Sequence, residues 1–206
     1  MASGCLAKVV FSDAKHNFLI HYILALGVLL ITPILFGLND LDEKLAAQPL
    51  EIMLPLVGVI LMTPVFMPEQ NESIRDVVRA RKTSYHLVCF LRLLLAAVII
   101  TVMTGAIVLY MKHSGSEVTF MHFSGAAASA AALGSLGFFA AAFSDNVIAG
   151  YMASLIYYIA NFFLKQKLRV FFLFSMTFGS FSEKKWLIIS ALVLIAAAFS
   201  VRKFRE

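Results

Sequence analysis

Charge is what this chain has least of. Only 14% of its 206 residues are Asp, Glu, Lys or Arg, against 61% apolar, whereas a soluble domain carries about 25% and about 45–50%. Cysteine is almost missing as well. Cys5 and Cys89 are the only two, and neither belongs to a CxxC pair or to a disulfide framework. No GxxxxGK[ST] occurs, so the chain holds no P-loop for ATP. There is no HExxH, and the five histidines form no cluster with metal-ligand spacing. No pair of aspartates falls inside the apolar runs, and nothing marks a nucleophile. The expectation is therefore neither an enzyme nor a cofactor-binding protein.

What is present is oil. Mean hydropathy is +0.88, and apolar windows near 20 residues recur, each able to cross a hydrocarbon core roughly 30 Å thick. They do not alternate with period two, as barrel strands would. The fold class expected is all-α: a polytopic membrane protein with one transmembrane domain over 1–206 and spans at 17–38, 50–67, 87–111, 122–143, 147–164 and 186–201. The first run lacks a small-residue cleavage site, so it is read as a retained span.

Taken in order, residues 2–16 read as an interfacial helix. Leu6, Val9 and Val10 share one face, and Lys8, Ser12 and Lys15 share another, as a helix lying on a membrane requires. A disordered tail is the alternative. The loop Asn39 to Glu51 sets Asp40, Asp42, Glu43 and Glu51 against a single Lys44, which places it outside. Pro55, Gly58 and Pro64 predict a bent second span. Arg92, just inside the third, can snorkel to the headgroups and so need not be a substrate ligand. In span four, HFSGAAASAAALGSLGFFAAAF, small residues recur four apart, which lets helix backbones approach closely. Gly125, Ser129 and Gly134 are its candidate packing residues. Asp145 reads as the N-cap of span five. The apolar middle of residues 165–185 is too short to cross, and is expected to form a helical hairpin dipping into the outer leaflet, with Gly179 near its bend.

The one densely charged stretch lies between spans two and three. Ser73 and Asp76 have capping-box spacing, with Asn71 as an alternative cap, and Ile74, Val77 and Val78 form one apolar stripe. Glu69, Glu72 and Asp76 lie toward the start, and Arg79, Arg81 and Lys82 toward the end, as a helix dipole favours. This predicts a water-facing helix over about 72–82, a part that something in the cytosol can push on. Placing both termini inside gives the cytosol ten of the seventeen basic residues, the side on which such residues accumulate. The net charge of +5 is read in that way and not as a nucleic-acid surface.

These features resemble the permease subunit of an ABC-2 type ATP-binding-cassette transporter. The pattern lies in Glu69, then Ile74 with Asp76 and Val77-Val78, then Thr83-Ser84 and Arg92, although the family has proline at Lys82 and a Gly-Lys pair at Leu91-Arg92. The resemblance implies a surface N-terminal helix, six spans, a re-entrant element between spans five and six, and a coupling helix that contacts a cytosolic ATPase. It also implies a homodimer or heterodimer with a second permease, and both termini cytoplasmic in a bacterial plasma membrane. The near absence of charge in the spans fits export of a lipid or peptide. The alternative is a non-transporting membrane subunit for immunity, assembly or sensing.

Overall fold

A backbone in hydrocarbon has to satisfy its own N–H and C=O groups, so each apolar run folds as a helix. The computed structural model describes residues 16–70 and 85–205. In chain order the helices are α1 (Leu19–Phe36), α2 (Glu43–Met62), α3 (Tyr85–His113), α4 (Phe120–Ser144), α5 (Val147–Leu164) and α6 (Glu183–Arg205). A 3-10 stretch, Thr63–Gln70, prolongs α2, and two 3-10 turns, Lys165–Phe171 and Met176–Phe178, lie between α5 and α6. All six helices are long and apolar enough to cross a membrane. Among the described residues there is no strand.

Residues 2–15 of the expected surface helix, and all of the expected helix over 72–82, lie outside the described residues. With them lie Glu72, Ser73, Ile74, Asp76, Val77, Val78, Arg79 and Arg81. Glu69 stands near the end of the Thr63–Gln70 stretch.

Two helices form the centre. In their most apolar windows α2 is 72% buried and α4 67%, while α1 and α6 are each 17%. α4 packs against α2, α6 and α5. Its small residues make this possible. A Cβ on Gly134 would stand 2.6 Å from the Gly58 carbonyl oxygen and 2.6 Å from Met62 Sδ, and one on Gly58 would run into the Ala130 backbone. The α2 and α4 backbones therefore touch where neither residue has a side chain. The outer helices turn leucines, isoleucines and phenylalanines outward, among them Ile34, Ile156, Phe163 and Leu192, as helices facing lipid do.

The connections sort into two ends. At one, the α1–α2 and α3–α4 loops knit together: the Asp40 amide donates to Ser114 O (3.1 Å) and the Glu117 amide to Leu41 O (2.9 Å). Ser116 Oγ donates to Leu38 O (2.9 Å). Gly37 (φ 57°) closes α1 by donating to Pro33 O, a left-handed cap that glycine takes without a Cβ clash. The segment between α5 and α6 leaves and rejoins the bundle at this same end, and is called the cap below. At the other end lie the start of α1, the end of α2, the α4–α5 turn and the end of α6. This is the termini end.

Several sequence expectations need correction. α2 begins at Glu43, seven residues before the expected span, so most of the acidic "loop" is helix. An acidic first turn is favoured by the helix dipole. Glu51 is consequently not in an outside loop but inside α2, with 0% exposure. Arg92 is buried and not exposed at its span end: it donates to Val65 O (3.2 Å) and lies 5.8 Å from the Phe18 ring centre. Asp145 does not cap α5. It ends α4 in a left-handed conformation (φ 55°), and Asn146 Oδ1 takes the capping role by accepting from the Ile148 amide (2.8 Å). The cap is not a helical hairpin but two 3-10 turns joined by irregular backbone.

Candidate functional site

The polar interior is concentrated under the cap, where four helices converge. Glu51 comes from α2, Ser129 from α4, Asn161 from α5 and Lys184 from α6. Each arrives there because an otherwise apolar stripe carries one polar residue at that depth.

The centre is a buried ion pair. Lys184 Nζ lies 2.5 Å from Glu51 Oε1, with the side chains 6% and 0% exposed. The remaining two ammonium protons go to Ser129 Oγ (2.7 Å) and Leu173 O (2.5 Å). Oε1 also accepts from the Met176 amide (2.8 Å). Oε2 accepts from the Thr177 amide (2.9 Å) and the Thr177 hydroxyl (2.8 Å). All three lysine donors and both carboxylate oxygens are thus in use. A buried pair withstands its desolvation only when its remaining lone pairs and protons are met in this way.

The bonds that satisfy the pair also hold the cap. Asn161 Oδ1 accepts from the Leu173 amide (2.9 Å), Tyr157 donates to Phe171 O (2.5 Å), and Tyr158 ties α5 to α2 through Ile52 O (2.8 Å). Irregular backbone in an apolar region needs partners for its amides and carbonyls, and here side chains of α2, α4, α5 and α6 supply them. Phe162, Phe172, Phe174 and Phe178 fill the cap with ring contacts at centroid distances of 4.7 to 5.8 Å.

A second polar junction stands beside it. His122 Nδ1 accepts from the Thr119 amide (3.2 Å), which leaves Nε2–H to donate to Glu43 O (3.0 Å). This joins the start of α4 to the start of α2. At the termini end Arg202 Nη1 pairs with Asp145 Oδ1 (2.6 Å), its guanidinium 4.6 Å from the Phe66 ring centre. Cations are attracted to ring faces at such distances.

Of the sequence candidates, Gly134 sits at the α2–α4 crossing. Gly125 faces Met176 and the stem of Lys184 (Cγ 3.4 Å from a Cβ added there). Ser129, a small packing residue by its spacing, is also a ligand of Lys184. Glu51 and Lys184 are not among the residues that sequence reasoning singles out. The signal was available: one acid and one base, each near the same end of its own apolar run. Among the described residues, no group of three or more His, Cys, Asp or Glu side chains is placed to hold a metal.

The fold and this buried, hydrogen-bonded ion pair fit a multi-pass, all-helical membrane protein. Comparison of the chain with protein-family models, with curated proteins and with solved structures finds no match.

Proposed function

We propose that the chain is the permease subunit of an ABC-2 type ATP-binding-cassette exporter, moving an amphipathic or apolar substrate such as a lipid or peptide. The observation that carries this reading is the cap. It interrupts the helical plan between the last two long helices, returns to the end it left, and is pinned to four helices by side-chain bonds. In this reading it is the re-entrant outer element, the termini face the cytosol, and the membrane is a bacterial plasma membrane. Glu69 and the helix over 72–82 meet a separate ATPase, and a second permease, alike or different, completes the pathway. A rigid element that transmits motor closure has to bias a two-state structure, and the pinned cap is the part whose release opens the outer side.

A second reading, a non-transporting immunity, assembly or sensor subunit, is favoured by the completeness of the pairing. It leaves neither Glu51 nor Lys184 a free valence for cargo.

Purification of the intact protein from its own cells separates the two. A nucleotide-binding subunit should co-purify, and reversing the charge of Glu69 and Asp76 should uncouple ATP hydrolysis from transport. Single cysteines at Gln166 and Ser182, in a background lacking Cys5 and Cys89, should both react with an impermeant thiol reagent added outside. Absence of an ATPase sinks the permease reading. Labelling at only one of the two cysteines sinks the re-entrant cap.

A further inference from the structure

Beside the ion pair, a half-open cavity of about 150 Å³ lies between α2, α5 and the cap. Its apolar walls are Ile52, Phe162, Phe172, Phe174 and Phe178. Three polar residues also line it, and two of them are already committed. Asn161 accepts from the Leu173 amide and donates to Tyr157 O, and the Thr177 hydroxyl donates to Glu51. A ligand deep in the cavity therefore meets mainly hydrocarbon and ring faces. The space takes about five methylene-sized groups, each near a water molecule's share of liquid volume, about 30 Å³. That is a short length of thin apolar chain, not a bulky head.

The mouth is different. Gln48, the third polar lining residue, is exposed, and Lys44 stands one turn beyond it on the same face of α2, because residues four apart are helix neighbours. Lys44 is exposed and makes no ion pair with a described residue. Its Cε would lie 3.6 Å from a Cβ on Gly179, directly after Phe178 of the cavity wall. Lys167 and Arg169 are exposed on the cap as well. The apolar slot thus opens beside the Lys44 ammonium, and Phe162 of its wall and the neighbouring Phe163 are exposed.

We propose that this cavity binds one acyl chain of an anionic phospholipid from the leaflet at the capped end, with Lys44 and Gln48 holding the headgroup. The mostly apolar and aromatic walls, with Asn161 tied to the cap and Thr177 to Glu51, select the tail, and the Lys44 ammonium at the mouth selects the sign of the head. The site needs only that the helices lie in a bilayer. It stands or falls separately from any transport activity.

The test uses the full-length protein in lipid nanodiscs. Trp186, the only tryptophan, is replaced by Phe, and a reporter is placed in the wall as Phe178→Trp or, should that variant misfold, Phe162→Trp. Brominated phosphatidylglycerol is expected to quench the reporter several-fold more, mole for mole, than brominated phosphatidylcholine. Lys44→Glu should remove that preference, and Ile52→Phe, which narrows the slot, should lower quenching by both lipids. Equal quenching by the two lipids in the parent would mean ordinary boundary lipid and overturn the proposal, as would a preference unchanged in Lys44→Glu.

Discussion

Replacing Lys184 with methionine keeps most of the side chain's length and removes its charge. Glu51 would then be a buried carboxylate without its cation, a change that costs about 3–5 kcal/mol. The lower figure applies here, because the Met176 amide and the Thr177 amide and hydroxyl still donate to it. Glu51→Gln falls toward the upper figure. Its NH2 group would confront either Lys184 or the cap amides, donor against donor, and an unmet buried donor costs about 1–3 kcal/mol by itself. For a chain of this size each kcal/mol moves the midpoint by about 2–4 °C. Lys184→Met should therefore lower the midpoint by about 6–12 °C, taking about 3 kcal/mol for the lost partner. The double variant should cost less than the sum of the two single ones by about 2–3 kcal/mol, as contacting residues do. Cys89 is buried on α3, so in a Cys5→Ala background a thiol-reactive dye reports unfolding, with loss of helical circular dichroism as the independent probe. A shift of less than about 2 °C for Lys184→Met, together with strict additivity, would mean that water reaches the pair and that the cap is not held as described.

Two further outcomes follow from the packing and from the cap. Gly134→Leu should lower assembly by about 1–3 kcal/mol, and Gly58→Ala should be worse for its size, since its new methyl group meets the Ala130 backbone rather than a movable side chain; monodispersity on size exclusion checks both, and two well-assembled variants would show that α2 and α4 separate freely. Asn161→Leu strips the Leu173 amide of its acceptor at about 1–3 kcal/mol, and should raise protease cleavage within residues 165–182 while the helices stay intact; unchanged protection would mean that Asn161 does not hold the cap.

The helices were legible because each apolar run is long and uniform, and hydrocarbon leaves the backbone no other choice. The start of α2 was not. Asp42, Glu43, Lys44 and Glu51 read as a solvated loop, because a one-dimensional pattern does not reveal that Glu51 has a lysine 133 positions away in sequence to meet it. The same long-range pairing hid Lys184, which looked like one more basic residue before a span. Small residues four apart in α4 pointed to close packing, but Gly58, alone among prolines, looked like part of a bend. The cap was read as too short to cross. Its 3-10 geometry depends on acceptors and donors from four helices, which local sequence does not carry.

The two ion pairs differ in their reach by salt. Mobile ions screen charges that water can touch over about 8 Å at physiological ionic strength, and act far less on buried ones. The Asp145 side chain is 40% exposed, while Glu51 is sealed at 0% and Lys184 nearly so. Raising ionic strength should therefore slacken the tie between the α4–α5 turn and the end of α6 while leaving the knot under the cap as tight as before. The bundle has one end that the surrounding solution can tune and one that it cannot, so any splaying of the helices driven by salt will pivot about the capped end.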